Sequence, residues 1–246
     1  MLIRILCVSA LLLTRAAPAQ QGGDIQAQIL YAYQTEDTNS LVNLIQDLTA
    51  RLEAEEGDAS LRYHLAHAQY RRGQLAGAAH AHEAESAFAD CIDQLKALLA
   101  QDVKSVEALI LQSACYSGLA DYRKLQSVLL RSRAAERLEA ALELAPRNPR
   151  AVFLSSMDAL GREKAGTPAR QQAFARLELA AKLFDASSAT LLDAPGWGHA
   201  EAYLALGREL QSRGDRLGAR NWIEKSLIAA PDYKAAQRQL AALVRH

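Results

Sequence analysis

Apolar residues recur at helical spacing in almost every segment of the chain after Asp24. No segment shows the sustained alternation of apolar and polar residues that is typical of a half-buried strand. Alanine and leucine dominate the composition, and both are good helix formers, whereas β-branched residues are sparse. The sequence therefore predicts an all-α protein.

Glycine and proline divide the helical segments into pairs. Such breakers stand at 57–58, 73, 118, 146–149, 166–168, 195–196, 214–215 and 231–232. These positions predict an N-terminal helical hairpin over 20–58, further hairpins over 59–104, 105–148, 149–199 and 200–233, and a closing helix over 234–246. An array of similar hairpins is the sequence signature of a repeat architecture.

The hairpin over 200–233 has small and large residues at fixed distances. The positions that carry the pattern are Tyr203, Leu206, Gly207, Leu210, Gly214, Ala219, Ile223, Ser226 and Pro231. With little or no side chain at Gly207 and Ala219, two antiparallel helices could approach closely, and the larger apolar residues would fill the seam around that contact. This order and spacing closely resembles a tetratricopeptide (TPR) repeat. The other hairpins fit the pattern less strictly, with extra residues near 118–125 and 161–168 and a long second helix in 59–104.

The resemblance to TPR proteins implies an α-solenoid, a right-handed superhelix of antiparallel hairpins in which each hairpin contacts only its neighbours. In such an array the first helix of each hairpin lines a concave groove that binds a protein or peptide partner. The residues expected to line this groove are Tyr63, His67, Tyr70, Arg71, Phe153, Met157, Leu204, Arg208 and Gln211. The resemblance thus implies a non-enzymatic scaffold or adaptor.

Two other functions remain open at this point. Some exported TPR-like proteins are accessory ligand-binding components of solute uptake systems, and a closed apolar cavity would favour a small ligand of that kind over a peptide. The chain could also assemble with further copies of itself through the ends of the array.

Residues 1–19 have the features of a Sec-type signal peptide. Arg4 provides a positive charge, Ile5 to Leu13 form a short apolar core, and Ala17-Pro18-Ala19 matches the A-x-A cleavage pattern. We therefore expect cleavage after Ala19 and a periplasmic or secreted protein. The apolar core is shorter than the ~20 residues of a spanning helix, so no membrane span is expected after cleavage.

Residues that could support catalysis, metal binding or nucleic-acid binding are few. His64, His67, His80 and His82 are clustered, but the last two diverge by about 200° around a helix. We therefore expect these histidines to be exposed to solvent on the surface and to form no metal site. The sequence lacks a G-x-S-x-G elbow, an H-E-x-x-H motif and a phosphate loop, so no catalytic residue or cofactor is predicted. Its 28 basic and 28 acidic residues do not form the basic cluster that nucleic-acid binding requires.

Cys91 and Cys115 are predicted to lie level with each other on adjacent helices, because they are about equally far from the turn between those helices. Both lie in apolar stripes. In an oxidising compartment they could form a disulfide that links two hairpins, or they could stay as two buried thiols.

Overall fold

The computed structural model describes residues 18–55, 57–187 and 195–245. In these residues it contains eleven α-helices, two short 3₁₀ helices and no strand, which confirms the all-α prediction. The α-helices are α1 Pro18–Gln34, α2 Thr38–Ala54, α3 Ala59–Ala76, α4 Ala81–Gln101, α5 Val106–Tyr122, α6 Ser127–Leu144, α7 Pro149–Arg162, α8 Pro168–Ser187, α9 His199–Ser212, α10 Arg216–Ala229 and α11 Lys234–Val244. Residues 1–17 of the expected signal peptide lie outside the described residues. None of the described helices is both long and apolar enough to span a membrane.

Consecutive helices pack in pairs, α1 with α2, α3 with α4, α5 with α6, α7 with α8 and α9 with α10, and α11 packs on α10. Short polar side chains fix where several of these helices begin. Asp37, Asp58, Asn148 and Asp215 each accept a hydrogen bond from a backbone N–H in the first turn of α2, α3, α7 and α10. The described part of the chain is therefore an array of five helical hairpins with a closing helix.

The α9/α10 hairpin is packed as its sequence pattern predicts. A β-carbon added at Gly207 would lie only 2.6 Å from Ile223 Cγ1 and 3.1 Å from the Ala219 carbonyl oxygen. Gly214 adopts a φ of 83° in the turn between the two helices, a conformation that favours glycine. The seam of this hairpin thus depends on the absence of a side chain at position 207.

Two other glycines lie inside helices rather than at the breaks that the sequence predicted. Gly73 is in α3 and Gly118 is in α5, and the ring of Phe88 from α4 packs between them. A β-carbon would lie 2.9 Å from this ring at Gly73 and 2.6 Å from it at Gly118. The expected insertion after Gly118 is correspondingly short, because α5 continues to Tyr122 and a 3₁₀ turn leads into α6.

A disulfide joins Cys91 of α4 to Cys115 of α5, with 6.3 Å between the two Cα atoms. Both residues are fully buried in the apolar core of the second and third hairpins. The sequence left open whether these cysteines form a disulfide or stay as free thiols, and in the structure they form the disulfide.

The first and last parts of the array touch each other, so hairpins do not contact only their neighbours. At the end of α1, the Tyr33 ring lies 6.0 Å from the Tyr233 ring, which precedes α11. Next to it, both carboxylate oxygens of Glu36 accept hydrogen bonds from Arg238, at 2.8 and 2.5 Å. The expectation of strictly nearest-neighbour contacts is wrong because the superhelix curves tightly enough for its ends to meet. We refer to this arrangement as the closed array.

Candidate binding surface on the concave side

Two adjacent cavities of about 530 and 610 Å³, here the first and second cavity, lie on the inner side of the closed array. Their lining comes mainly from the first helices of the hairpins, α3, α5, α7 and α9. They share Tyr70, Gln74, Leu154, Met157 and Gly161, so they are two parts of one surface, which we call the concave surface. Tyr33 and Tyr233, which join the two ends of the array, form a wall of the first cavity.

Only some of the residues that were expected in the groove line this surface, and they differ in their exposure to solvent. Tyr70, Arg71, Phe153, Met157, Leu204 and Arg208 line the first cavity, whereas Tyr63, His67 and Gln211 line neither cavity. Of the expected residues, only Met157 and Arg208 are exposed. The closed array packs most of the other expected residues against each other. Their role in binding stays a prediction.

Arg71 is the centre of this packing and is only 1% exposed. Its Nε donates to His67 Nε2 at 3.1 Å, its Nη1 donates to Gln74 Oε1 at 2.8 Å, and its Nη2 pairs with the Glu201 carboxylate of α9. The guanidinium carbon lies 4.1 Å from the centroid of the Tyr33 ring, in cation–π geometry. Burial is the largest single influence and opposes the charged form, but the Glu201 carboxylate and the nearby Tyr33, Tyr70 and Tyr233 together hold the pKa of Arg71 above its usual value. One side chain thus links α1, α3 and α9.

Trp197 precedes α9 and is buried on the concave side, where it is 2% exposed. Its indole Nε1 donates to the Tyr63 hydroxyl at 3.0 Å, and its ring lies 6.3 Å from the Tyr70 ring. The carbonyl of Pro195 accepts a hydrogen bond from Arg150 Nη1 at 2.5 Å. This short segment therefore forms a fixed wall of the first cavity.

Arg150 itself is held by two hydrogen bonds to Glu107, at 2.7 and 2.9 Å. Trp197 falls at the end of the predicted hairpin over 149–199 and was not among the residues expected in the groove. A large aromatic residue between two glycines in a helix connection was the available signal.

A second arginine–glutamate pair joins α8 to α9 beside the first cavity. Arg170 donates from Nε and Nη2 to the two carboxylate oxygens of Glu209, at 3.0 and 2.6 Å. Its Nη1 also donates to the carbonyls of Leu160 and Glu163 at the end of α7, at 2.7 and 2.9 Å. No local pattern indicates this pair, since its members are 39 residues apart. Arg213 Nε also donates to Glu209 Oε1 at 3.0 Å, so two arginines share this carboxylate beside the cavity.

The histidine cluster divides into a buried and an exposed pair. His64 and His67 are buried, whereas His80 and His82 are exposed, so the expectation of four wet histidines is wrong for the first two. The His67 ring lies 5.9 Å from the ring of Trp197, which precedes α9, so the closed array covers this face of α3. In the described part of the chain, no three side chains of the metal-binding types come together.

The two buried histidines predict a loss of stability in mild acid. Burial lowers the pKa of His64, and burial and the Arg71 charge lower the pKa of His67 well below its usual value. The folded state therefore takes up protons on these rings at a lower pH than the unfolded state, whose histidines are protonated near pH 6.5. The unfolded state then binds more protons, so the free energy of unfolding should fall as the pH drops from 7 to 5, by up to about 1.4 kcal/mol per pH unit and histidine.

Urea unfolding at pH 8, 7, 6 and 5 measures this loss. His67→Gln retains an acceptor for Arg71 but cannot take up a proton, so its stability should fall less steeply than that of the wild type. His82→Gln, at an exposed position of the same cluster, is the matched control and should keep the wild-type slope. Equal slopes for all three proteins would contradict the assignment to His67.

The arrangement of helices is similar to that of a solved protein. The crystal structure of a thermophilic TPR protein from Thermus thermophilus superposes with a TM-score of 0.63 and 18% sequence identity, over 93% of this chain and 100% of the other. At this identity the likeness concerns the fold, and it confirms the TPR-like solenoid that the spacing in 200–233 predicted. No protein-family model matches the chain, and neither does any curated protein.

Proposed function

We propose that this TPR-like protein is an exported scaffold that binds a peptide segment of a partner protein on its concave surface. The proposal rests mainly on the region where the two cavities meet. There the side chains of Leu154 and Met157 face both cavities, and Met157 is 39% exposed although it is large and apolar. A concave cavity lined by apolar side chains with a few polar groups is the usual form of a binding site, and Leu154 and Met157 provide the apolar contact at its centre.

The shape of the concave surface supports a peptide. The second cavity begins at α5 and α6, and the first cavity ends at α9 and Tyr233, so a ligand that filled both would be elongated. The lining combines apolar side chains with amide and hydroxyl groups such as Gln74, Ser117 and Ser212, which could pair with peptide groups. The cavity-lining pairs Arg170–Glu209 and Arg162–Asp158 are neutralised within the protein, which supports a binding role rather than acid–base chemistry.

Binding of a small solute, as in an uptake system, is the second candidate. The contact between Tyr33 and Tyr233 favours it, because it gives the first cavity a wall on the side where an open solenoid would have none. A compact solute would occupy the first cavity alone. A substitution confined to the second cavity, such as Ser117→Leu, should then leave the affinity for the solute unchanged. The same substitution should lower the affinity for an elongated peptide.

Export is part of the proposal and rests mainly on the signal-like residues 1–19. The disulfide between Cys91 and Cys115 is consistent with it, since such bonds persist in oxidising compartments. The periplasm or the cell exterior is the location that both features favour. Fractionation of cells that produce the full chain, with N-terminal sequencing of the exported form, tests the location and the cleavage after Ala19.

Substitution at the centre of the concave surface tests the proposed binding. Peptides are first selected from a phage-displayed random library on the immobilised protein, and their affinities are then measured by fluorescence anisotropy. Met157→Gln removes the exposed apolar contact and should weaken binding about tenfold, as expected for a central anchor position. Leu179→Gln replaces a similarly exposed apolar residue of α8 that lines neither cavity, and it should bind as the wild type does. Failure to select any peptide, or equal affinities for both variants, would contradict the proposal.

A further inference from the structure

The charges around the concave surface are distributed unevenly. In the second cavity, Arg131 pairs with Asp121 and Arg162 pairs with Asp158, each with a nitrogen–oxygen distance of 2.7 Å. The charged side chains that line this cavity therefore balance each other.

The first cavity has one positive charge more than its carboxylates neutralise. Its lining contains Arg71, Arg170 and Arg208 but only Glu201 and Glu209. Arg71 and Arg170 are paired with these two glutamates, as described above. Glu209 is shared with Arg213, which does not line the cavity, so among the arginines of the lining Arg208 is the one that has no carboxylate partner in the described residues.

Arg208 is an exposed residue of α9, and its only hydrogen-bond partner in the described ranges is a neutral amide. Its Nε donates to Gln239 Oε1 at 3.3 Å, and the Gln239 amide in turn donates to Gln211 Oε1 at 2.5 Å. No carboxylate of the described residues forms an ion pair with it. Both terminal nitrogens of the guanidinium are thus available for the two oxygens of an anionic ligand group.

The position of Arg208 on its helix relates it to the apolar part of the surface. Leu204 precedes it by one turn of α9 and Ala205 lies beside them, and all three line the first cavity together with Met157. A ligand that covers Leu154 and Met157 and continues towards α9 therefore passes Ala205 and reaches Arg208. The apolar side chain of Met157 and the guanidinium of Arg208 therefore both belong to the lining of the first cavity.

We infer that the concave surface recognises a peptide segment in which an acidic side chain stands near an apolar one. The apolar side chain packs on Leu154 and Met157, and the aspartate or glutamate pairs with Arg208. The balanced charges of the second cavity leave the other flank of the segment without a charge preference. This inference rests on the proposed peptide-binding function and adds the chemical class of the partner.

The test compares the peptides that different variants select. The phage-displayed random library is panned against the wild type, Arg208→Gln, Arg208→Lys and the control Arg220→Gln, which alters an exposed arginine of α10 outside both cavities. The wild type, Arg208→Lys and Arg220→Gln should enrich Asp or Glu close to an apolar residue. Arg208→Gln should still enrich the apolar residue but lose the preference for an acid.

A synthetic pair of peptides makes the result quantitative. An enriched peptide and its Asp→Asn or Glu→Gln counterpart are titrated by fluorescence anisotropy. The acidic form should bind the wild type about tenfold more tightly, and this advantage should vanish in Arg208→Gln. Selection of apolar residues without acids, or an unchanged acid preference in Arg208→Gln, would overturn the inference and leave the proposed function intact. Selection of no peptide by any variant would overturn both.

Discussion

Replacing Arg71 with methionine should lower the free energy of unfolding by about 3–5 kcal/mol, the usual cost of removing one partner from a buried ion pair. Methionine fills much of the same volume, so the loss arises mainly from polar groups that remain without a partner. The Glu201 carboxylate is largely shielded from solvent and would be left without its cation, and His67 Nε2 would lose its donor. The substitution should therefore also separate α3 from α9.

Urea unfolding monitored by circular dichroism measures the energy of this change. Trp197 fluorescence in a Trp222→Phe background reports the separation, because the Trp197 ring lies 5.7 Å from the Arg71 guanidinium carbon. Arg123→Met is the matched control, since its ion pair with Glu85 is considerably exposed and should contribute only about 0–1 kcal/mol. The double variant Arg71→Met, Glu201→Gln should recover part of the loss. A cost for Arg71→Met no greater than that of Arg123→Met would mean that Arg71 does not hold the closed array together.

The sequence could predict the α9/α10 hairpin because the interactions that define it are local. Gly207 and Ala219 lie seven and five positions from Gly214, so they are at similar distances from the turn and two antiparallel helices bring them close together. Gly214 likewise marks its turn through a backbone conformation that depends on few neighbours. Where a glycine instead accommodates a ring from another helix, as Gly118 does for Phe88, the sequence around it looks the same as at a turn.

Burial of the expected groove residues could not be predicted, because it depends on contacts across most of the chain. His67 was expected to be exposed to solvent, and Arg71 was expected to line the groove. Arg71 is instead buried beside Glu201, which is 130 residues away and supplies the opposite charge. The contact of Tyr33 with Tyr233 spans 200 residues, and no local pattern indicates it. Met157 and Arg208 stayed exposed because their helix faces point into the cavities rather than towards the opposite end of the array.

Replacing Gly207 with leucine should destabilise the chain by about 3 kcal/mol, the upper part of the range for overpacked cores. The β-carbon alone would lie 2.6 Å from Ile223 Cγ1, and the Ala219 carbonyl behind it belongs to the backbone and cannot rotate away. Gly161→Leu is the matched control, because that glycine is also helical but has nothing within 4 Å of its added β-carbon. Urea unfolding of both variants should show a clear loss only for Gly207→Leu.

The Gly207→Leu variant should also show whether the first and last helices of the closed array stabilise each other. The measurement is which helices exchange their amide hydrogens faster in the variant. In a solenoid with neighbour contacts alone, the damage would spread from α9 and α10 to α8 and α11 and then fade. Here Tyr233 and Arg238 also hold the end of α1, and Glu201 of α9 holds Arg71 of α3. Hydrogen exchange should therefore accelerate in α9, α10 and α11 and also in α1 and α3, while the disulfide-linked α4 and α5 stay protected through their own core. Acceleration limited to the last hairpins would show that the contact between the ends carries no stability, and equal acceleration everywhere would show that the chain unfolds as a single cooperative unit.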